Sequence, residues 1–167
     1  MPADLGGLGL DLVTVARITE LLARRCASSG MVFAMHQIQV ACLAGHAAAG
    51  PWFEGYLGEL AAQQRLIASV TSEIGVGGDL RSSIASLSRD AGVVRLEKKA
   101  PTVSYAEHAD DFLITARRDP SAPSGDQVLV LASADQVLLE RMDAWNTLGM
   151  RGTCSPGFVV QASCGAD

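Results

Sequence analysis

Apolar positions in this chain keep one period up to Arg65 and another after it. Leu12, Val15, Ala16, Leu22 and Cys26 are spaced as on one face of a helix, with Asp11 placed to cap its first turn and Arg24 and Arg25 near its C-terminal dipole. This predicts a first helix from Asp11 that ends before Ser28-Ser29-Gly30. A second helix, from about Met31 to Ala48, is apolar nearly all round, which predicts a central position. Gly50-Pro51 stops it, and Pro51 suits the first turn of a third helix through Trp52, Phe53, Tyr56, Leu57 and Leu60. Ahead of all three, Met1 to Leu10 reads as a glycine-rich loop.

After Arg65 the texture changes to β-branched runs separated by Gly, Pro, Ser and Asp, as expected of short strands with turns. Strands are predicted at Leu66 to Ser72, Val93 to Lys98, Phe112 to Arg117, Gln127 to Ala132, Val137 to Glu140 and Gly157 to Gln161. Asp119 to Asp126 has turn chemistry at nearly every position and predicts an exposed hairpin connection. Helices first and strands second indicate an α+β fold, with about three helices packed on an antiparallel β-domain of barrel or sandwich type. The expected division is 1–65 helical and 66–167 β. No internal repeat and no βαβ alternation is visible.

Composition narrows the function classes. The chain has 167 residues, 49% of them hydrophobic and 19% charged, and that apolar excess points to surface meant for a partner. A net charge of −5 without a basic stripe argues against nucleic acid and against an anionic membrane surface. His36, Gln37, Gln39 and His46 interrupt the apolar stretch from Met31 to Ala49, so a buried helix fits better than a membrane span. Cys26, Cys42, Cys154 and Cys164 lack CxxC spacing and read as reduced core residues, and no secretory signal opens the chain; the expected compartment is cytoplasmic.

Few residues carry chemistry by themselves. Glycines flanking Met150-Arg151 suggest a sharp turn or a close backbone approach within Trp145 to Thr153. Glu73 to Asp79 follows a strand and holds three glycines, where successive N–H groups can form an anion-binding nest; a ligand-free turn is the commoner reading. Neither Walker nor Rossmann spacing is present. Ser69, Thr71, Thr102 and Ser104 read as polar strand residues. Met31, Met35, His36 and Gln39 lie on the second helix, where core packing and pocket lining are both open. His36, His46 and His108 lack partners at metal-ligand spacing, so no metal site is expected. Glu97, Glu107 and Asp110 are scattered acids, and no Gly-x-Ser-x-Gly elbow supports hydrolysis.

Four segments in order resemble the acyl-CoA dehydrogenase family. Val70-Thr71-Ser72-Glu73-Ile74-Gly75-Val76-Gly77-Gly78-Asp79 is similar to its Thr-Glu-Pro-Gly-x-Gly-Ser-Asp signature, with Ser72, Ile74 and Gly78 in the Thr, Pro and Ser places. Pro2 to Gly9 resembles a Pro-x-x-x-Gly-Gly-x-Gly loop, Thr102-Val103-Ser104 with Ala109-Asp110 a Trp-Ile-Thr-Asn-Gly…Ala stretch, and Trp145 to Thr153 a Leu-Gly-x-Arg segment. The resemblance implies FAD, touched by Ser69, Thr71, Ser72, Thr102 and Ser104, with Gly77 and Gly78 near its pyrophosphate. It implies an acyl-CoA substrate lined by Met35, His36 and Gly78. Thr102 stands where the family often has Trp, and Gly78 lacks the Ser hydroxyl.

The reaction implied is α,β-dehydrogenation of an acyl-CoA thioester. The family's catalytic glutamate sits in a C-terminal helical bundle that this chain lacks, so no residue here is assigned as catalytic. The expectation is an internal, truncated piece: the end of the helical N-terminal domain plus most of the middle β-domain. Electron-transfer flavoprotein or another acceptor and a homotetramer are the implied partners. A flavin-dependent monooxygenase on the same scaffold and a non-catalytic binding module are the alternatives.

Overall fold

The computed structural model describes residues 1–46 and 50–165. Three helices, α1 (Leu12–Ala23), α2 (Ala27–Gly45) and α3 (Pro51–Gln63), precede seven strands. These are β1 (Ile67–Val70), β2 (Ser88–Asp90), β3 (Val93–Ala100), β4 (Asp111–Arg117), β5 (Gln127–Ser133), β6 (Val137–Arg141) and β7 (Phe158–Gly165). The expected α+β order holds.

Asp11 caps α1 as expected, its carboxylate accepting from Thr14 N–H at 2.7 Å. The break after α1 falls earlier than predicted, at Arg24 to Cys26, and Ser28-Ser29-Gly30 lie inside the first turn of α2. Gly30 explains why. A Cβ there would stand 2.7 Å from Ala23 Cβ, so α1 and α2 meet at a point that admits only hydrogen. The predicted end of α2 near Ala48 lies outside the described residues. Pro51 opens α3 at its first turn, as expected.

The prediction that α2 is central is corrected. Only Gly30, Gln39, Val40 and Leu43 are buried, while Met31 and Ile38 are exposed, because α2 packs on α1, α3, β1 and 151–153 without being enclosed by them. Helix α1 contributes no buried residue among the described ones, and Leu12, Val13 and Leu21 are more than half exposed. The reading of the cysteines as core residues also fails. Cys26 and Cys42 are exposed, Cys154 and Cys164 half-buried, all with free thiols.

The strands form two sheets, of order β1-β4-β5 and β2-β3-β7-β6. An all-antiparallel domain was expected, but β1 pairs with β4 in parallel, Ile67 opposite Asp111 through Val70 opposite Ile114. The connection between them runs through β2 and β3 in the other sheet, which supplies the length a parallel crossover requires. Strand β2 was not predicted: Ser88-Arg89-Asp90 is polar and exposed, and only its pairing with Val93 to Arg95 defines it.

The layers follow from side-chain alternation. Ala68 and Val70 of β1, Phe112, Ile114 and Ala116 of β4, and Val130 and Ala132 of β5 meet Val94, Leu96, Ala100, Phe158, Val160 and Ala162 of the second sheet in one core. A second cluster joins Val40, Leu43, Leu57 and Leu60 of the helices to Ile67 and Leu113 on the other face of the first sheet. Strands β1 and β4 are therefore covered on both faces, which is why Phe112-Leu113-Ile114 shows no polar alternation. Tyr56 and Arg65 lock α3 to β4: Tyr56 OH donates to Asp111 Oδ2 at 2.8 Å, and Arg65 Nε donates to the same oxygen at 2.7 Å. No described helix is long and apolar enough to cross a membrane.

Candidate functional site

One edge of β1 and the segment 102–105 run alongside each other. Tyr105 OH donates to Ile67 O at 3.1 Å, and Ser72 Oγ donates to Thr102 O at 2.6 Å. Burial pushes the Tyr105 hydroxyl up to about 12, so it stays a donor at any ordinary pH. Ile67 N–H donates to His36 Nδ1 at 3.3 Å, bringing α2 to the same edge. Because a strand repeats every two residues, the N–H and C=O of Ser69 leave β1 on this edge too, away from β4.

Ser104 begins a chain of hydroxyls. Ser155 Oγ lies 2.8 Å from Ser104 Oγ and 2.8 Å from Thr153 Oγ1. Thr153 and Ser155 are 3% and 4% exposed, so their protons must be satisfied within the protein. Backbone fixes them in place, with Tyr105 N–H donating to Thr153 O at 2.8 Å and Val103 N–H to Pro156 O at 3.1 Å. In the preceding stretch the expected sharp turn is present, but Met150 (φ 57°) and Cys154 (φ 43°) take the left-handed conformation and the flanking glycines do not. Gly152 serves the close approach instead, since a Cβ there would be 3.2 Å from Ser28 Cβ on α2.

The glycine loop after β1 is clamped at its base. Glu73 accepts from Ser83 Oγ at 2.7 Å, Ala85 N–H at 2.6 Å and Ile84 N–H at 3.1 Å, and pairs with Lys98 Nζ at 3.5 Å. Lys98, with a side chain 0% exposed, also donates to Thr115 O at 2.8 Å and Thr115 Oγ1 at 2.7 Å. Burial raises the Glu73 carboxyl, but the Ser83 and backbone donors together with the Lys98 charge outweigh it and hold it below its ordinary value. Gly77 (φ 62°) and Gly78 (φ 84°) sit exposed on the tethered loop, with no atom within 4 Å of where a Cβ would be. Glycine is needed there for the backbone turn, and no neighbour crowds it.

The residues singled out from sequence thus divide into two groups. Ser69, Thr71, Ser72, Thr102, Ser104 and His36 share the β1 edge or the segment beside it; Thr71 and Thr102 are exposed, Ser72 and Ser104 half-buried, and Ser69 buried, its Oγ 3.5 Å from Thr71 Oγ1. Met35 packs partly buried against the core between the sheets. Gly77 and Gly78 are joined to that edge through the Glu73 clamp and the 2.9 Å bond from Ile74 N–H to Lys99 O. Sequence reading missed Lys98, Thr153 and Ser155. Lys98 carried a signal: Val94, Leu96 and Ala100 alternate toward the core, and Lys98 falls in the same phase. The hydroxyl pair carried none.

A cavity of about 680 Å³ lies elsewhere, between the α2–α3 end of the helical layer, β5 and the start of β3. Leu43, Phe53, Leu87, Val94, Leu113 and Leu131 line it together with Cys42, His46 and Cys164, and none of the expected flavin or substrate contacts does. The donors of the β1 edge, by contrast, are neutral hydroxyls and main-chain groups in a row. That set fits the polar end of a flat heteroaromatic ring such as a flavin, whose ring oxygens and nitrogens accept along one side.

No family model matches the chain, and no curated protein matches it in sequence. Solved structures do match in three dimensions. The prolyl acyl carrier protein oxidase AnaB superposes with a TM-score of 0.78 at 24% identity, over 99% of this chain and 45% of that one. TdsC from Paenibacillus sp. A11-2, described as a dibenzothiophene monooxygenase and solved with FMN bound, superposes at 0.83 and 22% identity, over 100% and 42%. An acyl-CoA dehydrogenase from Geobacillus kaustophilus gives 0.78 and 18% identity, over 99% and 44%. The chain spans under half the length of each of these structures, and over that span it has the fold of the acyl-CoA dehydrogenase-like flavoproteins.

Proposed function

We propose that this chain forms the flavin-facing part of an acyl-CoA dehydrogenase-like oxidoreductase that uses FAD for α,β-dehydrogenation of an acyl-CoA thioester. The observation that carries the reading is the row of donors along β1 and 102–104, tied by the Ser72 to Thr102 and Tyr105 to Ile67 hydrogen bonds. A flavin held there supplies a hydride acceptor. The hydroxyls of Thr71 and Ser104 would donate to ring atoms that gain negative charge on reduction, with Ser72 holding the edge in place through its bond to Thr102 O, and fixed donors aimed at developing charge stabilise it without reorganising. Gly77 and Gly78 would turn main-chain N–H groups toward the diphosphate, and Met35, His36 and Gly78 would border the substrate.

Removal of the α-proton requires a free carboxylate. Among the carboxylates around this face, Glu73 pairs with Lys98, Glu107 with Arg141 and Asp111 with Arg65, while Asp110 accepts from Leu66 N–H at 2.7 Å. No residue of this chain is assigned as that base in this reading, and the contacts to an electron acceptor and to other subunits of a tetramer are likewise unassigned.

A second reading, a monooxygenase working with reduced flavin, draws on the exposed Thr102, which leaves the ring face beside it open to oxygen and to a bulky substrate.

Titrating the chain with FAD and with FMN and following co-elution of the yellow band tests the proposal. Binding is expected, weakened about fivefold by Ser72→Ala, which removes the hydrogen bond tying β1 to Thr102 O. Folded chain eluting free of both flavins would refute the site. Anaerobic bleaching by an acyl-CoA separates dehydrogenation from oxygen-dependent hydroxylation.

A further inference from the structure

Three donors converge on Met150 O: Thr153 N–H at 3.1 Å, Trp145 Nε1–H at 3.1 Å and the Thr153 hydroxyl at 2.8 Å. A carbonyl oxygen has two lone pairs, and the two N–H donors have no other acceptor to turn to. The Thr153 hydroxyl does, because Ser155 Oγ is also 2.8 Å away. Each hydroxyl has one proton, so the choice made at Thr153 propagates. If Thr153 donates to Ser155, then Ser155 donates to the nearer of its two remaining acceptors, Ser104 Oγ at 2.8 Å in place of Thr153 O at 3.3 Å, and the Ser104 proton is left to point out of the protein. If Thr153 instead crowds onto Met150 O, Ser155 is released to donate to Thr153 Oγ1 or to Thr153 O at 3.3 Å, and the bond that holds the Ser104 proton outward is no longer enforced.

We infer that Thr153 and Ser155 are positioning residues which set Ser104 as an outward hydrogen-bond donor. The inference rests on the flavin reading for its purpose, since an outward donor on this face favours a ring atom that becomes electron-rich on reduction. It does not rest on that reading for its geometry. Aligned hydroxyls in a buried chain also polarise one another, so the donor strength at Ser104 depends on both hydroxyls behind it.

Neutron diffraction from crystals exchanged into D₂O reads the order directly. The expected map has the Thr153 deuteron facing Ser155, the Ser155 deuteron facing Ser104, and the Ser104 deuteron directed outward. A Ser104 deuteron directed at Ser155 overturns the inference, whether or not the chain binds flavin. The second measurement is the ratio of affinities for reduced and oxidised flavin, obtained from the reduction potential of the bound ring. Thr153→Val keeps the buried shape and removes the hydroxyl; it is expected to lower that ratio about fivefold, the worth of roughly one hydrogen bond, with Thr153→Ser restoring it. An unchanged ratio in Thr153→Val, with flavin still bound, also overturns the inference. Loss of flavin binding in the unmodified chain would instead refute the proposed function and leave the neutron result to judge the hydroxyl order.

Discussion

Lys98 occupies a core-facing strand position with a side chain 0% exposed, and it is tolerated there because every ammonium proton has an acceptor. Glu73 is the only one of those partners that carries charge, and it closes the glycine loop on itself through Ser83, Ile84 and Ala85. Removing either member leaves the other charge uncompensated in the interior, so Glu73→Gln and Lys98→Met should each lower stability by about 3–5 kcal/mol in urea unfolding. The double substitution should recover part of the combined loss. Strict additivity would show that the two charges do not interact. This residue-scale pairing was half legible: the alternation of Val94, Leu96 and Ala100 marks position 98 as inward, while nothing local says which carboxylate reaches it.

At the scale of elements, the helix starts and most strands follow from local chemistry. Asp11 and Pro51 mark the beginnings of α1 and α3 because capping and a preset φ act within one turn. Gly30 shows where local reasoning stops. Next to two serines it reads as a breaker, yet it sits inside α2 because α1 crosses there. Ala is the better helix former by about 1 kcal/mol, so Gly55→Ala, with no atom within 4 Å of the new Cβ, should raise thermal stability. Gly30→Ala should do the reverse, since its Cβ would meet Ala23 at 2.7 Å and overpacking costs about 1–3 kcal/mol. Both variants stabilising to a similar extent would mean that the α1–α2 contact is looser than described. The parallel β1–β4 pair belongs to the same class of features, fixed by a partner far along the chain, whereas β2 went unread because its residues are polar and exposed although its partner Val93 to Arg95 is local.

Across the whole molecule, the helical layer is joined to the sheets by the Val40 to Leu113 cluster, by Asp111 with Arg65 and Tyr56, and by His36 accepting the Ile67 N–H. Burial lowers the His36 pKa from its ordinary 6.5, and a protonated Nδ1 could not accept that bond. The unfolded chain therefore takes up the proton first as pH falls. Stability contributed by neutral His36 is complete above about 6.5 and declines below it toward the lower folded value. Thermal unfolding followed from pH 7 to 5.5 should show a fall in midpoint that shrinks in His36→Gln; an identical fall in both would remove His36 as a cause. Taken alone, the sequence determined the order of the helices and of most strands and the glycine turn after β1, because periodicity, capping and allowed φ are properties of a few neighbouring residues. Only the tertiary structure decided that 67–72, 102–105, 153–155 and His36 share one edge, that Lys98 meets Glu73, and that α1 keeps an open apolar face. Those depend on which distant segments pack together, and contacts between distant segments leave no spacing in a single chain to read.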